Sequence, residues 1–427
     1  MPIPGDHPQR IELNDEVHAR PPESLVAPVR ISYLAMLSDL SARESEWQHV
    51  CELVQHYDGP APPPGATHVS VDLGVFRLKW ERHTEFSRYN FVVPGAGDDP
   101  FSTPALAAVP ESWLSRLPGE TIVAAHAALV PDTAATSDFE RLSATLFAGN
   151  ALIGSRISGG AGIALTDFRV RDDGFSRFLA IDRGMTPRQA GRILQRLLEI
   201  DTYRVMALLA LPVARQLVPL LSDNERELAG ITDALARAST EDEAQLLERL
   251  TRLEAEIESR ESAHAYRFGA SAAYHELVQR RIGELREERI QGLQTFREFT
   301  ERRLAPAMST CQSVAARQHA LSARVARATQ LLSTRVDIAR ERQNQALLES
   351  MNRRAKLQLR LQETVEGLSI AAVTYYVVGL VGYGVKGLKD AGIALSPDLA
   401  MAVSIPLVAL TAALFIRRVR RSVRKAD

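Results

Sequence analysis

The sequence predicts an α+β protein in three parts: a mixed α/β cytoplasmic domain near the N-terminus, a long helical hairpin or coiled-coil stalk, and a C-terminal two-helix transmembrane hairpin. Three observations carry this reading. Before residue 185, short β-branched and aromatic runs are punctuated by Gly and Pro. From Thr186 on, the composition shifts to Ala, Leu, Arg, Glu and Gln with apolar residues at helical spacing. Near the end stand two uncharged runs, Gly367–Val385 (GLSIAAVTYYVVGLVGYGV) and Leu399–Ile416 (LAMAVSIPLVALTAALFI). At about 1.5 Å per residue each reaches roughly 27–29 Å, close to the hydrocarbon thickness of a bilayer.

Residues 1–27 are Pro-rich and polar and predict an extended arm, with the cluster LNDEVHARPP at 13–22. The α/β domain occupies 28–185. Pro28–Leu37 (PVRISYLAML) is a strand by β-branched and aromatic content. Ser41 with Glu44 forms a capping box that opens a helix to about Tyr57, and APPPGAT is a loop. His68 onward predicts two strands, HVSVDLGVFRLKWERH and FSRYNFVV, turning around Thr84–Ser87. A short helix near Ser112–Leu117 and a strand at Thr121–Leu129 follow, then a helix opened by Ser137 and Glu140. Ala151–Ile157, Ile163–Arg171 and Phe175–Ile181 predict a three-stranded meander, with SGGAG (158–162) and Asp172-Asp173-Gly174 as its turns.

The stalk spans 186–366. Thr186-Pro187-Arg188-Gln189 combines an N-cap, a Pro at the first helical position and a capping partner. The apolar LLEIDTYRVMALLAL that follows is broken by Asp201 and Arg204, which predicts burial in the soluble part rather than a third span. Pro212 and Pro219 come next, and Ser222 with Glu225 and Thr240 with Glu243 are further capping boxes. Leu246, Leu250, Leu253 and Ile257 show the 4-3-4 spacing of a coiled-coil seam. Leu321, Val325, Ala328 and Leu332 repeat it, as do Leu347 and Met351, then Leu361, Val365 and Leu368, with Arg354 and Gln358 interrupting. Pro306 is the one proline between Thr240 and Glu366, so the hairpin corner is expected near Leu304–Ala307. The two arms are expected to pair antiparallel, leaving Leu357 to Leu368 to a second copy of the chain. From Ala307 to Val385 one rod could cross the interface without a linker.

The membrane part divides into helix 367–385, an external loop 386–398, helix 399–416 and a basic tail 417–427. Ser396 and Pro397 give the second helix a start signal, and Pro406 predicts a kink inside it. Arg417, Arg418, Arg420, Arg421, Arg424 and Lys425 follow the second run, whereas the loop carries Lys386 and Lys389 against Asp390 and Asp398. The positive-inside rule then places both termini in the cytoplasm. Tyr383, Gly384, Lys386 and the four arginines from Arg417 to Arg421 are the expected membrane-interface residues. MPIPGDHPQR does not fit a signal peptide, so all 366 residues before the hairpin are expected to be cytoplasmic.

Bulk numbers narrow the function. A formal charge of −1, from 51 basic and 52 acidic residues, argues against nucleic acid as a partner. Cys51 and Cys311 are the only cysteines, which excludes a disulfide framework and a cysteine zinc site. Glu81, His83 and Glu85 alternate along a strand and point to one face, where three such groups could ligate a divalent metal. Arg77 and Lys79 continue that polar row opposite Phe76, Leu78 and Trp80, so a solvated face is the expectation. Asp15, Glu16, His18 and Arg20 could bring acid–base groups to a cleft, although a polar arm docked by salt bridges accounts for them. SGGAG lacks the Lys of a phosphate-binding P-loop and precedes a strand, so it is a hairpin turn. No complete catalytic motif is present, and no cofactor or catalytic residue is expected.

LNDEVHARPP (13–22) and FRLKWERHTEFSRYNF (76–91) resemble a bacterial family carried as a domain of unknown function and described as membrane-anchored proteins. The resemblance covers most of the chain and implies an inner-membrane location, without an activity or site residues. The layout of α/β domain, helical hairpin, stalk, two spans and basic tail is similar to the CorA-type magnesium channel superfamily. There a Gly-Met-Asn motif closes the first span; here Tyr383-Gly384 is followed by Val385 and Lys386. A Lys at that entrance would repel a divalent cation. The sequence therefore predicts an oligomeric cytoplasmic scaffold or sensor tethered to the inner membrane, with the bilayer and a second copy as partners. The alternatives are a CorA-like channel and a membrane-tethered hydrolase.

Overall fold

A computed structural model describes residues 5–18, 21–390, 392 and 396–423. In chain order the elements are α1 (Arg10–His18), β1 (Val29–Leu37), α2 (Arg43–His56), β2 (His68–Asp72), β3 (Arg77–Arg82), β4 (Phe86–Pro94), α3 (Glu111–Leu114) and β5 (Glu120–Pro131). Next come α4 (Phe139–Leu146), β6 (Ile153–Ile157), β7 (Gly162–Thr166), β8 (Ser176–Asp182), α5 (Pro187–Leu208), α6 (Ala210–Leu235) and α7 (Thr240–Leu285). The last are β9 (Glu288–Arg289), α8 (Phe296–Arg303), α9 (Ala305–Asp390) and α10 (Pro397–Val423). The fold is α+β, as the patterning predicts.

The strands form one sheet in the order β2-β3-β4-β1-β5-β8-β7-β6-β9, antiparallel except for the β5–β8 pair. Side-chain alternation assigns its two faces. On one, Ile31, Tyr33, Phe86, Val123, Ala125 and Phe178 share a core with Ile193, Leu194 and Leu197 of α5 and Val278 and Ile282 of α7. On the other, Leu34, Leu78, Trp80, Tyr89 and Phe91 pack with Val50, Leu53 and Val54 of α2. Further along that face α4 covers Leu165 and Leu179 with Leu142 and Leu146. The apolar run after Thr186 is thus sheet cover, and its N-terminus carries the expected capping box of Thr186 and Gln189.

The chain forms two compact units. One comprises the residues up to Arg237 together with Leu246–Thr329; the other comprises Ala238–Gln245 and the residues from Gln330 onward. The first therefore extends well past residue 185, because α5, α7, α8 and the edge strand β9 complete its core. In the second, α9 and α10 approach closely at Gly382, where a Cβ would collide with the Met401 thioether.

Several local expectations are corrected. Arg10–His18 is helical rather than extended, with Asp6 paired to Arg10 one turn ahead and no proline inside. His68–Pro94 holds three strands, because Gly74, at φ +81, turns the chain between β2 and β3. Asp39 accepts from the Ser41 and Ala42 N–H groups and replaces the Ser41–Glu44 box. Asp138, in place of Ser137, caps α4. Ser222 is interior to α6 and bonds back to Val218, while Glu225 pairs with Arg317. Before α7 the Ser239 N–H and hydroxyl both donate to the Asp242 carboxylate, one residue earlier than the expected Thr240–Glu243 pair. Lys386–Asp390, expected as loop, continues α9, and Arg417 and Arg418 continue α10.

The corner also lies elsewhere. Glu261 meets His319 and Ser271 meets Met308, which centres the reversal on 286–295 rather than on Pro306. There β9 pairs with β6, and the Glu287 carboxylate accepts from the Phe296 and Arg297 N–H groups. Pro306 falls in the first turn of α9, where its missing N–H is harmless.

His126 of β5 shows what this core demands. It stacks on Phe175 at 4.0 Å and its Nδ1 lies 3.0 Å from Ser32 Oγ. Burial pushes its pKa down to about 4, against the ordinary 6.5. The imidazole is neutral when folded, so the unfolded chain binds the extra proton between these values. Stability should fall as pH drops from 6.5 to 4, by roughly 3 kcal/mol from this group. Denaturant unfolding across that range checks this, with His126→Gln as comparison; an equal slope in the variant would refute the assignment.

Candidate functional site

The densest chemistry lies between the sheet and α5. Arg88 projects from β4 opposite Glu81 of β3 and forms an ion pair with it. Its other side meets Glu199 of α5 at 2.9 Å. Arg281 of α7 and the Gln195 amide complete the partners of Glu199. Lys79 Nζ lies 3.1 Å from Glu81 Oε1 and donates to the Pro21 carbonyl at 2.7 Å. Glu81 is 0% exposed, Arg88 4% and Glu199 4%, so these charges are out of water.

The electrostatics are balanced. Burial pushes the Glu81 and Glu199 carboxyls up, yet the neighbouring cations outweigh it and hold both below the ordinary value. Burial likewise opposes the charge on Arg88, and the two carboxylates overcome it. Beside the cluster, Tyr33 donates to Thr202 Oγ1 at 2.7 Å, and burial raises its pKa. The cavity bounded by these groups has a volume of about 30 Å³, room for one or two waters.

A strap from the N-terminal region closes this site. Glu23 pairs with Arg77 at 3.0 Å and accepts from Ser70 Oγ at 2.6 Å. The Leu25 N–H donates to the Pro187 carbonyl at 3.0 Å. Gly191 makes the passage possible, because a Cβ there would overlap the Glu23 carbonyl oxygen. The arrangement is a latch: its charges fix the strap and join three secondary-structure layers.

The predicted site residues separate. Glu81 belongs to the ion cluster, Glu85 pairs with Arg267 at 2.8 Å, and His83 stacks on Phe86 at 4.6 Å. Among the described residues no group of three or more His, Cys, Asp or Glu is placed to hold a metal ion. The row Arg77, Lys79, Glu81 is not the solvated face that alternation suggested; Lys79 and Glu81 are buried under α5 and the strap. Asp15 is exposed on α1; only the backbone of Glu16 and His18 is described, and Arg20 lies outside the described residues. Tyr383 is 79% exposed on α9, and Gly384 and Lys386 share that helix. Arg420 and Arg421 lie in α10, with backbone alone described, and Arg424 and Lys425 fall outside the described residues. Glu199, Arg281 and Gly191 escaped the sequence reading altogether.

The two stretches singled out by resemblance meet here: the first supplies the Pro21 carbonyl, and the second supplies Arg77, Lys79, Glu81 and Arg88. A family model described as "Protein of unknown function (DUF3422)" matches residues 5–423. The chain belongs to this family. No curated protein and no solved structure matches it. Among the described residues of this DUF3422 protein, three helical stretches are long and apolar enough to cross a membrane: Pro187–Leu235, Ala305–Leu388 and Pro397–Arg418. The first includes α5, whose apolar side chains are already committed to the sheet.

Removing one partner of a buried pair leaves an uncompensated charge. Arg88→Met, which strands Glu81 and Glu199, should lower unfolding stability by about 3–5 kcal/mol. Adding Glu81→Gln should recover part of that loss. Chemical denaturation of the three proteins checks this, and an unchanged midpoint for Arg88→Met would remove the cluster's role.

Proposed function

We propose that the protein is a membrane-anchored, homo-oligomeric scaffold or sensor whose α/β unit is cytoplasmic. The lower part of α9 and α10 cross the bilayer as a hairpin. The observation that carries this reading is the change in α9. Leu332 is 0% exposed, and nearby Arg335 lies 4.0 Å from Glu243, close to the start of α7. Further on, Leu361 is 66% exposed and Leu368 75%.

This exposed segment is patterned, not random. Writing Leu347, Leu361 and Leu368 as d and Met351 and Val365 as a, the charges Glu349, Arg353, Lys356, Arg360, Glu363 and Glu366 all fall on b, c or f. Leu348, Ala355 and Leu357 widen the apolar face at e and g. Arg354 and Gln358 are the polar interruptions. Such a face expects another helix, and α7 has already begun by that level. A second copy fits because two chains anchored in one bilayer enter it in the same direction, so identical seams meet parallel and in register. Past the seam, the uncharged runs and the arginines after Ile416 support a hairpin with both ends inside.

Single cysteines at Leu361 and Val365, with Cys51 and Cys311 changed to Ala, should cross-link between chains under mild oxidation. One at Glu349, on the outward face, should do so several-fold less. Absence of any interchain product in native membranes would sink the oligomer. A topology reporter fused to the C-terminus should be active only as a cytoplasmic reporter, and periplasmic activity there would reverse the orientation.

A further inference from the structure

A second cavity, of about 570 Å³, opens where the C-terminal end of α7 meets the start of α5 and the β6–β7 turn. Arg192 and Arg196 line it from α5, Arg280 from α7 and Arg286 from the residue just after α7. Its one acidic lining residue, Glu284, is already paired with Arg196 at 2.9 Å and with Arg281 at 3.1 Å. Arg192, Arg280 and Arg286 have no acidic side chain at ion-pair distance among the described residues. Three arginines thus face one concavity without an acidic partner among the described residues.

Backbone geometry marks the same place. Arg286 stands at φ 48 and Ser158 at φ 56, left-handed conformations that normally fall to glycine. The Ser158 N–H donates to the Leu285 carbonyl at 2.9 Å, so the two unusual residues brace one another across the cavity rim. A non-glycine residue kept at the position after a helix end points to a use for its side chain.

We propose that this cavity binds a phosphate-bearing anion. Guanidinium forks match tetrahedral oxyanions with paired N–H donors, and three unmatched arginines call for more than one negative charge. Ser158 Oγ adds a hydroxyl donor, and Gln189, whose Oε1 is taken by the Thr186 N–H, retains its amide NH2. The lining holds no aromatic and no large aliphatic side chain, so the charged group itself is what the site grips. The source is a free polyphosphate or a phospholipid headgroup. The inference is independent of oligomerisation and of membrane topology.

Isothermal titration of the full chain in detergent, at fixed ionic strength, tests it with three probes: sodium pyrophosphate, a short-chain phosphatidic acid and citrate. Saturable binding of pyrophosphate is expected, weakened about tenfold or more by Arg280→Gln and by Arg286→Gly. Arg286→Gly removes the guanidinium while relaxing the backbone, so its effect cannot be laid to misfolding. Binding of the phosphatidic acid alone would assign the site to a lipid headgroup. No saturable binding of either phosphate probe, affinities unchanged in both variants, or citrate binding equally well would overturn the proposal.

Discussion

The α/β unit depends on one buried cation. Arg88 sits between Glu81 and Glu199 with almost no contact with water, and each of the three would be costly alone. The sheet cannot slide under α5 without separating Arg88 from Glu199. The strap cannot leave without releasing Lys79 from the Pro21 carbonyl and Glu23 from Arg77. Apolar contacts supply most of the favourable free energy here, as in any such core, but they are tolerant of small shifts. Charge pairs in a dry interior are not, because their geometry decides whether desolvation is repaid by attraction. The cluster therefore fixes the register between layers that the aliphatic contacts merely hold together.

Gly191 shows how far backbone packing serves the same end. The strap runs so close to α5 that any side chain at this position would collide with it. A glycine inside a helix weakens the helix relative to alanine by about 1 kcal/mol. That cost is offset by the close passage, which lets the Leu25 N–H reach the Pro187 carbonyl and buries Leu25 in the core.

Much of this fold is legible in the sequence, for identifiable reasons. β1, β5 and the β6–β8 meander announce themselves by β-branched content and glycine turns, and Thr186-Pro187 marks α5 without ambiguity. The missed caps and the Gly74 turn are local, whereas the misses at the site come from distance along the chain. Alternation places Lys79 and Glu81 on one face, but a polar row looks the same whether water or an ion partner covers it. What covers it is the strap and α5, and the second carboxylate that holds its partner Arg88 is Glu199, more than a hundred residues away, on a helix whose apolar pattern gives no hint of it. β9 is two residues with no apolar signature, and it moved the expected corner from Pro306 to the loop before it. The weak metal candidates Glu81, His83 and Glu85 are placed apart: Glu81 meets Arg88, His83 stacks on Phe86 and Glu85 pairs with Arg267.

The long helix α9 poses the complementary question, of a pattern that continues after its partner stops. Leu321 and Val325 are buried in the first compact unit and Leu332 and Val336 in the second, all within one uninterrupted helix. The heptad then persists through Leu361, Val365 and Leu368 with nothing against it among the described residues. Helical propensity alone would be met equally well by Ala, Glu and Lys at those sites, and charged substitutes would cost less in water. Leucine and valine at a and d, with every charge except Arg354 on b, c or f, suit a matching seam. An apolar helix face of that length on a chain free in solution would also be an aggregation hazard. The proposed anchoring would restrict its encounters to helices that enter the same bilayer in the same direction.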